Sequence, residues 1–413
     1  MSLFRVERMG AQGDGVAVAE DGARVFAPLT LPGEQVEVRG KGERAEAVRV
    51  VEPSADRVEP PCPHFGVCGG CALQHWAMAP YTDWKVGLIR EALSRDGIET
   101  DAAPAFTVQP GSRRRVALHA RKQGRNVVLG FKTRKSWDVV PITTCTIADP
   151  RIVAALPALR TLAAPFFEHA KSAPTLHVTV TATGLDVDVT GVEAKGGGLS
   201  ADARVRAADA AAAMDLARLT LAGDMVYLAR LPMVRFGKAA VALPPGGFLQ
   251  AAMDAERVMA AAVTEAVGAA PRVADLFCGA GAFTFPLAER SGVIAYDASP
   301  GAIDALTGGR AGTPGLKAIE AAARDLYRRP MLASEMKKLD AVVFDPPRAG
   351  ALEQAREIAN SAVPLVVAVS CNPQTFARDA AVLVAAGFTL ERVLPIDQFL
   401  WSAHVELVGV FRR

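Results

Sequence analysis

The sequence has few cysteines, no long apolar run and almost no net charge, and each of these absences excludes a class of protein. Only six of its 413 residues are cysteine, which is too few for the disulfide framework of a small secreted domain. No stretch approaches the roughly 20 consecutive apolar residues of a membrane-spanning helix. The 46 basic and 44 acidic residues nearly cancel, so any sign of nucleic-acid binding must be local.

Apolar residues, in contrast, are abundant and make up half of the chain. This composition excludes a disordered protein, and the length predicts two or three domains. Charged residues at positions 5, 7 and 8 (Arg5, Glu7 and Arg8) do not fit the start of a signal peptide. We therefore expect a cytoplasmic protein.

Turn and strand signals divide the chain into three parts. Residues 1–53 contain short apolar runs separated by glycine and proline turns, which predicts a small β-barrel. Residues 54–245 hold a cysteine-rich loop and further strands, including a hairpin built from Leu176–Val180 and Leu185–Val189. In residues 246–413 apolar strands alternate with helical patterns, which predicts an α/β fold with a doubly wound, mostly parallel sheet.

A glycine loop, Asp275–Ala282, joins a predicted buried strand to a helix. Gly279 and Gly281 allow the backbone to turn tightly and to approach a ligand closely. The third glycine of the dinucleotide fingerprint is missing, and an ordinary strand–helix turn is the simplest alternative. Asp297 follows the next strand, where a carboxylate can accept hydrogen bonds from ribose hydroxyls. The pattern predicts a nucleotide-like cofactor and leaves a nicotinamide and S-adenosylmethionine both open.

Three further polar groups lie at or near the ends of apolar strands, the edge at which open α/β sheets bind ligands. The prolines of Asp345–Arg348 hold Asp345 as a fixed acceptor. Cys371 precedes a helix whose N-terminal field would lower the thiol pKa and supply a thiolate, whereas an inert buried cysteine is the alternative. Glu406 either faces solvent on an edge strand, the simpler interpretation, or is buried as a paired or tuned acid or base.

Together these motifs resemble the S-adenosylmethionine-dependent RNA (uracil-C5)-methyltransferases, which form 5-methyluridine in ribosomal and transfer RNA. The matching segments occur in family order: Phe248–Gln250, Asp275–Gly281, Asp345–Arg348, Ser370–Asp379 and His404–Glu406. The resemblance implies a class I methyltransferase domain in residues 246–413 and a TRAM-like RNA-binding barrel in residues 1–53. Residues 54–245 would then be a central domain that carries iron–sulfur cysteines and a basic RNA-binding patch.

The resemblance also implies roles for individual residues. Cys371 would be the nucleophile that adds to C6 of uracil, and Glu406 would be the base that removes the C5 proton. The implied cofactor contacts are Gln250, Phe277, Gly279, Gly281, Asp297, Asp325 and Asp345.

The sequence departs from the family pattern at several positions. Ala282 replaces a common Asn, Asp297 replaces a common Glu, and residues 306–316 lack the expected Asn elements. These departures leave open a non-catalytic RNA-binding or ribosome-assembly factor, whereas the retained Cys371 and Glu406 favour an enzyme. The branch with both a barrel and a cluster implies 23S ribosomal RNA as substrate, with transfer RNA as the alternative.

Four cysteines form a group outside the methyltransferase motifs. Cys62, Cys68 and Cys71 lie in one Pro/Gly-rich loop, and Cys145 lies far along the chain. Four thiolates ligate either zinc or an iron–sulfur cluster, and four unrelated buried cysteines are the simplest alternative. The spacing is not that of a zinc ribbon with two C-x2-C knuckles. The family resemblance implies that these four residues hold a 4Fe–4S cluster.

Basic residues concentrate between positions 111 and 140, where Asp138 is the one acid. The nine basic residues are Arg113, Arg114, Arg115, Arg121, Lys122, Arg125, Lys132, Arg134 and Lys135. Such a patch predicts phosphate binding, although a solvated basic hairpin is the alternative. Phe131 and Trp137 lie among these residues, where aromatic rings stack on unpaired bases. Because a target uridine must leave its stack to reach Cys371, we expect a loop or single-stranded RNA as substrate.

Overall fold

The computed structural model of the chain describes residues 2–40, 42–124, 126–134, 136–193 and 198–413. Within them, the strands form sheets of five, seven and eight strands and one two-stranded ribbon. None of the helices in these ranges combines the length and apolar character needed to cross a bilayer.

The N-terminal sheet is antiparallel and has the strand order β3-β2-β1-β4-β5. Its strands are β1 (Ser2–Met9), β2 (Gly15–Val18), β3 (Arg24–Ala27), β4 (Gln35–Arg39) and β5 (Ala47–Glu52). Alternate residues such as Val36 and Val38 point into a small separate core. Phe26 of edge strand β3 exchanges backbone hydrogen bonds with Glu43 and Ala45, so the sheet curls toward the segment that precedes β5.

A cysteine-rich loop leads from this sheet to helix α1 (Met78–Arg95) and to the two-residue strand β6 (Phe106–Thr107). The central sheet then follows, with the order β13-β12-β11-β10-β7-β8-β9. Its strands are β7 (Arg115–Gln123), β8 (Asn126–Lys132), β9 (Val139–Pro141), β10 (Thr175–Thr181), β11 (Gly184–Thr190), β12 (Arg218–Leu221) and β13 (Asp224–Leu228). Helices α2 (Pro150–Ala163) and α3 (Ala201–Ala213) pack against it around a second core.

The predicted hairpin of the central region is confirmed. Strand β10 pairs antiparallel with β11 along seven residue pairs, from Thr175 with Thr190 to Thr181 with Gly184. A two-stranded ribbon, β14 (Met233–Phe236) and β15 (Ala239–Ala242), follows the central sheet.

The C-terminal sheet has the order β18-β17-β16-β19-β20-β22-β21-β6. Its strands are β16 (Arg272–Leu276), β17 (Gly292–Asp297), β18 (Ile319–Ala323), β19 (Ala341–Phe344), β20 (Leu365–Ser370), β21 (Thr389–Asp397) and β22 (Glu406–Arg412). Its helices are α4 (Met253–Val267), α5 (Thr284–Ala288), α6 (Pro300–Ala311), α7 (Leu352–Ala359) and α8 (Pro373–Ala385). Every pairing is parallel except those of β22 with β20 and β21.

The sequence explains this architecture in simple terms. Strands β19 and β20 are apolar runs buried along their whole length, as expected for the middle of a sheet covered on both faces. Helices α2, α6 and α8 each begin with a capping side chain followed by proline, at Asp149, Ser299 and Asn372 respectively. The predicted doubly wound α/β sheet is therefore confirmed. Strand order reverses on either side of β16, which places a crevice at the carboxyl ends of β16 and β19.

One buried ion pair fixes helix α1 against the C-terminal sheet. The Lys85 ammonium, which is fully buried, pairs with the Asp397 carboxylate at the end of β21. The Tyr81 hydroxyl donates a hydrogen bond of 2.6 Å to the other oxygen of Asp397. Lys85 also donates to the backbone carbonyls of Phe399 and His404. Because an unpaired charge at such a site would be strongly destabilising, these contacts hold the 399–404 loop in one position.

Candidate active site

The glycine loop between β16 and α5 has an unusual backbone. Phe277, Gly279 and Gly281 have φ angles of 63°, 54° and 102° respectively. A Cβ atom on Gly281 would lie 2.7 Å from the ring of Phe285, so this position requires glycine for space as well as for conformation. The amide of Gly279 donates a hydrogen bond of 2.9 Å to Asp297. The loop is thus held open by the carboxylate that follows β17.

A cavity of about 500 Å³ opens beside this loop; we call it the glycine-loop cavity. Its polar and aromatic lining includes Phe248, Gln250, Phe277, Asp297, Tyr327, Asp345, Arg348, Cys371 and Glu406. Gly279 also belongs to the wall, so five of the seven expected cofactor residues line this one cavity. Gly281 and Asp325 are not part of the wall. The Asp325 carboxylate instead accepts the backbone N–H groups of Tyr327 and Arg328.

Sheet register places the two expected catalytic residues side by side. Ser370 at the end of β20 pairs with Leu407 at the start of antiparallel β22, so Cys371 and Glu406 follow at the same edge. Glu406 is only 4% exposed, and its strand lies between two others. The interpretation of Glu406 as a solvent-facing residue on an edge strand is therefore wrong, because β21 covers that side.

A chain of buried amide and carboxyl groups connects Glu406 to the cofactor residues. The side-chain amide of Gln398 donates to Glu406 at 2.9 Å and to Gln250 at 2.7 Å. Gln250 in turn donates to Asp345 at 3.2 Å. Sequence reasoning missed Gln398, which lies one residue beyond β21, a strand that the apolar pattern did not predict. The adjacent polar pair Asp397 and Gln398, directly after the apolar residues 393–396, is the signal that could have found it.

Burial raises the pKa values of the acids in this cavity. It raises the pKa of Glu406 to about 7, against the opposing effect of the Gln398 hydrogen bond. Burial and then the neighbouring Glu406 raise the pKa of Asp345 well above its usual value. Burial, then Glu406, then Asp345 raise the pKa of the Cys371 thiol to about 11. The expected lowering of this thiol pKa by the helix N-terminus is thus wrong for the free protein, because burial and two carboxyl groups outweigh it.

A second cavity, also of about 500 Å³, shares Cys371 with the first; we call it the cysteine cavity. All four clustered cysteines line it: Cys62, Cys68, Cys71 and Cys145. Arg348 and Cys371 belong to the walls of both cavities. In the described ranges, no group of three or more His, Cys, Asp or Glu side chains is placed so that it could hold a metal ion.

The cysteine loop is tied to both neighbouring parts of the protein. The amide of Gly69 donates to the carbonyl of Lys132 in the central sheet at 2.9 Å. The amides of Ala72 and Leu73 donate to the carbonyl of Trp401 in the 399–404 loop. Burial raises the pKa of Cys71 to about 12, and the other three thiols add to this shift.

In the basic segment, residues 111–140, some cationic side chains form ion pairs within the protein and others have no acidic partner recorded among the described residues. Arg114 is buried and forms an ion pair with Glu256 at 2.6 Å. Arg134 pairs with Asp14 of the N-terminal sheet. Arg125 and Lys135 lie outside the described residues.

The cationic side chains of this segment that are not in those ion pairs lie beside aromatic rings or at the surface. Lys132 lies 3.7 Å from the centre of the exposed Trp137 ring. Arg115 lies over Phe248, and Arg113 lies over Phe399 in the cysteine cavity. Lys122 is exposed, and Arg121 donates to the backbone carbonyl of Ala120.

Comparison with known proteins identifies relatives over the whole chain. A family model described as tRNA (Uracil-5-)-methyltransferase matches residues 314–413. An RNA methyltransferase of Caulobacter vibrioides is 61% identical over the full length of both chains. The 23S rRNA (uracil(1939)-C(5))-methyltransferase RlmD of Pectobacterium atrosepticum is 30% identical, over 97% of this chain and 91% of its own.

A solved structure shares the fold over nearly the entire chain. The tRNA (uracil-54, C5)-methyltransferase of Pyrococcus abyssi, in complex with S-adenosyl-L-homocysteine, superposes with a TM-score of 0.71. The alignment covers 99% of each chain at 23% sequence identity. The predicted methyltransferase fold is thereby confirmed.

The raised pKa of Cys371 predicts slow alkylation of its thiol in the RNA-free protein. Because only thiolate reacts, the iodoacetamide rate at Cys371, followed by mass spectrometry, should rise about tenfold per pH unit from pH 7 to 9.5 without a plateau. Glu406→Gln should accelerate alkylation at each pH, since removing a neighbouring anion lowers the thiol pKa. Glu353→Gln, on an exposed surface, is the matched control and should change nothing. A plateau below pH 9 in the wild-type protein would contradict this account.

Proposed function

The chain belongs to the RNA uracil-5-methyltransferase family, and from this premise we propose that Cys371 and Glu406 carry out covalent methylation of a uridine. The family establishes an S-adenosylmethionine-dependent enzyme that acts on RNA. The observation that carries the residue assignment is that Cys371 lies in the walls of both cavities. A thiol at such a junction is accessible to a base from one side and to a cofactor from the other.

We assign the glycine-loop cavity to the cofactor. Gln250, Phe277, Gly279, Asp297 and Asp345 would hold it, because they combine an open backbone turn with carboxylate and amide acceptors. S-adenosylmethionine supplies a methyl group on a cationic sulfonium when bound. Gly281 does not line the cavity and would act by shaping the glycine loop. Asp325 accepts backbone N–H groups in the turn after β18 and would act by positioning Tyr327, which lines the cavity.

Cys371 and Glu406 would then act in sequence. The Cys371 thiol loses its proton to solvent, and the sulfur forms a bond to C6 of uracil. This addition moves an electron pair toward C5 and O4 and makes C5 the nucleophile for the methyl group. Glu406 removes the C5 proton, and the electron pair left behind expels the Cys371 thiolate from C6. A carboxyl group with a pKa of about 7 suits this task, since near neutral pH it both accepts and releases a proton.

We propose that RNA enters along the aromatic and basic side chains that lead to the cysteine cavity. Three cation–aromatic pairs support this path: Lys132 with Trp137, Arg115 with Phe248 and Arg113 with Phe399. Cations bind phosphates, and rings stack on unpaired bases. Arg121 and Lys122 extend this surface, whereas Arg114 and Arg134 serve their ion-pair partners instead. The N-terminal sheet would add a TRAM-like RNA contact.

Uridine in 23S ribosomal RNA is the substrate that we propose. The relative with a named substrate and 30% identity acts, by its name, on uracil 1939 of that RNA. Transfer RNA is the second candidate, because the solved structure with the same overall fold is by its name a transfer RNA enzyme. Both RNAs occur in the cytoplasm, where we expect the enzyme to act.

We further propose that Cys62, Cys68, Cys71 and Cys145 hold a 4Fe–4S cluster. What supports this is that the four thiols line one cavity together. Four cysteine thiolates are the usual ligands of a 4Fe–4S cluster. Its role would be structural, because the cysteine loop is bonded to both the central sheet and the 399–404 loop.

The covalent mechanism predicts a trapped intermediate. RNA that carries 5-fluorouridine at the target offers Cys371 a normal C6, but C5 then has fluorine where Glu406 would find a proton. Wild-type enzyme with S-adenosylmethionine should therefore accumulate an RNA adduct that resists denaturation, and Cys371→Ala should form none. Glu406→Gln should trap ordinary RNA as well, since it adds and methylates but cannot eliminate. Peptide mapping checks the attachment site, and an adduct at Cys278 would show that the nucleophile is another residue.

The cluster assignment predicts iron and acid-labile sulfide in protein purified without oxygen. Such protein should be brown, and Cys68→Ser should lose both iron and colour because one thiolate ligand is gone. Cys278→Ser is the matched control, since Cys278 lies outside the cysteine cavity, and it should keep full iron content. Metal analysis that finds one zinc per chain and no iron would refute the assignment.

A further inference from the structure

The side-chain amide of Gln398 has an orientation that the backbone imposes. Gln398 is 2% exposed, and its Oε1 accepts the amide of Ala251 at 2.9 Å and, more weakly, that of Ala252 at 3.4 Å. A backbone N–H only donates, so the oxygen of the Gln398 amide must face Ala251 and its nitrogen must face the opposite way. The assignment of oxygen and nitrogen in this amide is therefore not arbitrary.

This orientation determines the state of both polar neighbours. The Gln398 nitrogen donates one proton to Oε1 of Glu406 and the other to Oε1 of Gln250. Gln250 must then present its own nitrogen to Asp345, as observed. No other hydrogen bond reaches the Glu406 carboxylate from the part of the chain that the structure describes. Oε1 of Glu406 thus accepts this hydrogen bond, and Oε2, which accepts none from the described residues, is the oxygen more open to a proton.

We propose that Gln398 is the positioning residue of the elimination step, presenting Oε2 of Glu406 to the C5 proton while it fixes the Gln250 amide. This inference rests on the proposed function, in which Glu406 is the base. A donor to a buried carboxylate both orients it and favours its ionised form. Loss of that donor affects the step that needs the carboxylate, and leaves addition of Cys371 and methyl transfer largely intact.

The alternative is that Gln398 only fills space beneath the cavity. The two roles differ in which step slows. A packing defect would slow addition, methyl transfer and release together, whereas a misplaced base would slow release alone. The fraction of RNA held as a methylated covalent adduct on ordinary uridine distinguishes them.

The test uses full-length enzyme in excess over target RNA at saturating S-adenosylmethionine, so that neither binding step limits the rate. Gln398→Met keeps length and volume but cannot donate. Methyl transfer should stay within about threefold of the wild-type rate, and release should slow by about 10- to 100-fold, the factor for a lost hydrogen bond to a charged group. Methylated RNA adduct should therefore accumulate on ordinary uridine.

Two further variants keep the result interpretable. Gln398→Glu retains an acceptor for Ala251 but replaces the donor that faces Glu406, so it should show the same adduct even if Gln398→Met folds poorly. Gln354→Met is the matched control: Gln354 is equally buried and bonds both backbone groups of Met331, outside both cavities. Gln354→Met should lower the unfolding temperature without changing the ratio of the RNA release rate to the methyl transfer rate.

Each outcome has a defined meaning. Equal slowing of transfer and release in both Gln398 variants, with no adduct on ordinary uridine, would overturn the positioning role while the proposed function stands. Wild-type enzyme that forms no adduct with 5-fluorouridine RNA would overturn the proposed function and this inference with it. Adduct that accumulates in the Gln398 variants but not in Gln354→Met supports the positioning role.

Discussion

Burial of Asp397 and Gln398, two consecutive polar residues at the end of β21, is the constraint on which the rest of the site depends. A buried carboxylate requires a cation and donors, and Lys85 and Tyr81 of α1 supply them. A buried amide requires four partners, and Gln398 has them. These needs can be met only when α1, β21, β22 and the segment before α4 come together. The polar groups therefore couple the assembly of the domain to the geometry of the active site.

The same burial gives the site its acid–base character. Burial raises the pKa values of three acidic groups in one cavity wall, Asp345, Cys371 and Glu406. Glu406 adds to the shift of Asp345, and both carboxyl groups add to that of Cys371. In the free protein the thiol is thus held as a neutral group. In our account the cationic cofactor would favour ionisation of the thiol, and the uracil would reach Cys371 from the other cavity. The arrangement favours reaction only when both partners are present.

Much of this could be predicted from the sequence, because the motifs combine local signals with a strong hydrophobic pattern. The doubly wound sheet and the glycine loop follow from which loops end which strands. The pairing of Cys371 with Glu406 was implied by the family resemblance, and the burial of Glu406 was not predicted. What the sequence could not predict depends on partners distant in the chain. Gln398 is oriented by residues about 150 positions away, and Lys85 pairs with a residue about 310 positions away. For the same reason, sequence patterns could not predict the raised pKa of the Cys371 thiol or the ion pair of Arg114 with Glu256.

The central claim is that this protein methylates uridine in RNA through Cys371. The most direct test maps 5-methyluridine by mass spectrometry in 23S ribosomal and transfer RNA from cells that lack the protein. Our account predicts that one 5-methyluridine disappears from 23S RNA, returns with the wild-type gene and does not return with Cys371→Ala. Its loss from transfer RNA instead would contradict the proposed substrate. An unchanged modification pattern in both RNAs, or restoration by Cys371→Ala, would contradict the claim itself.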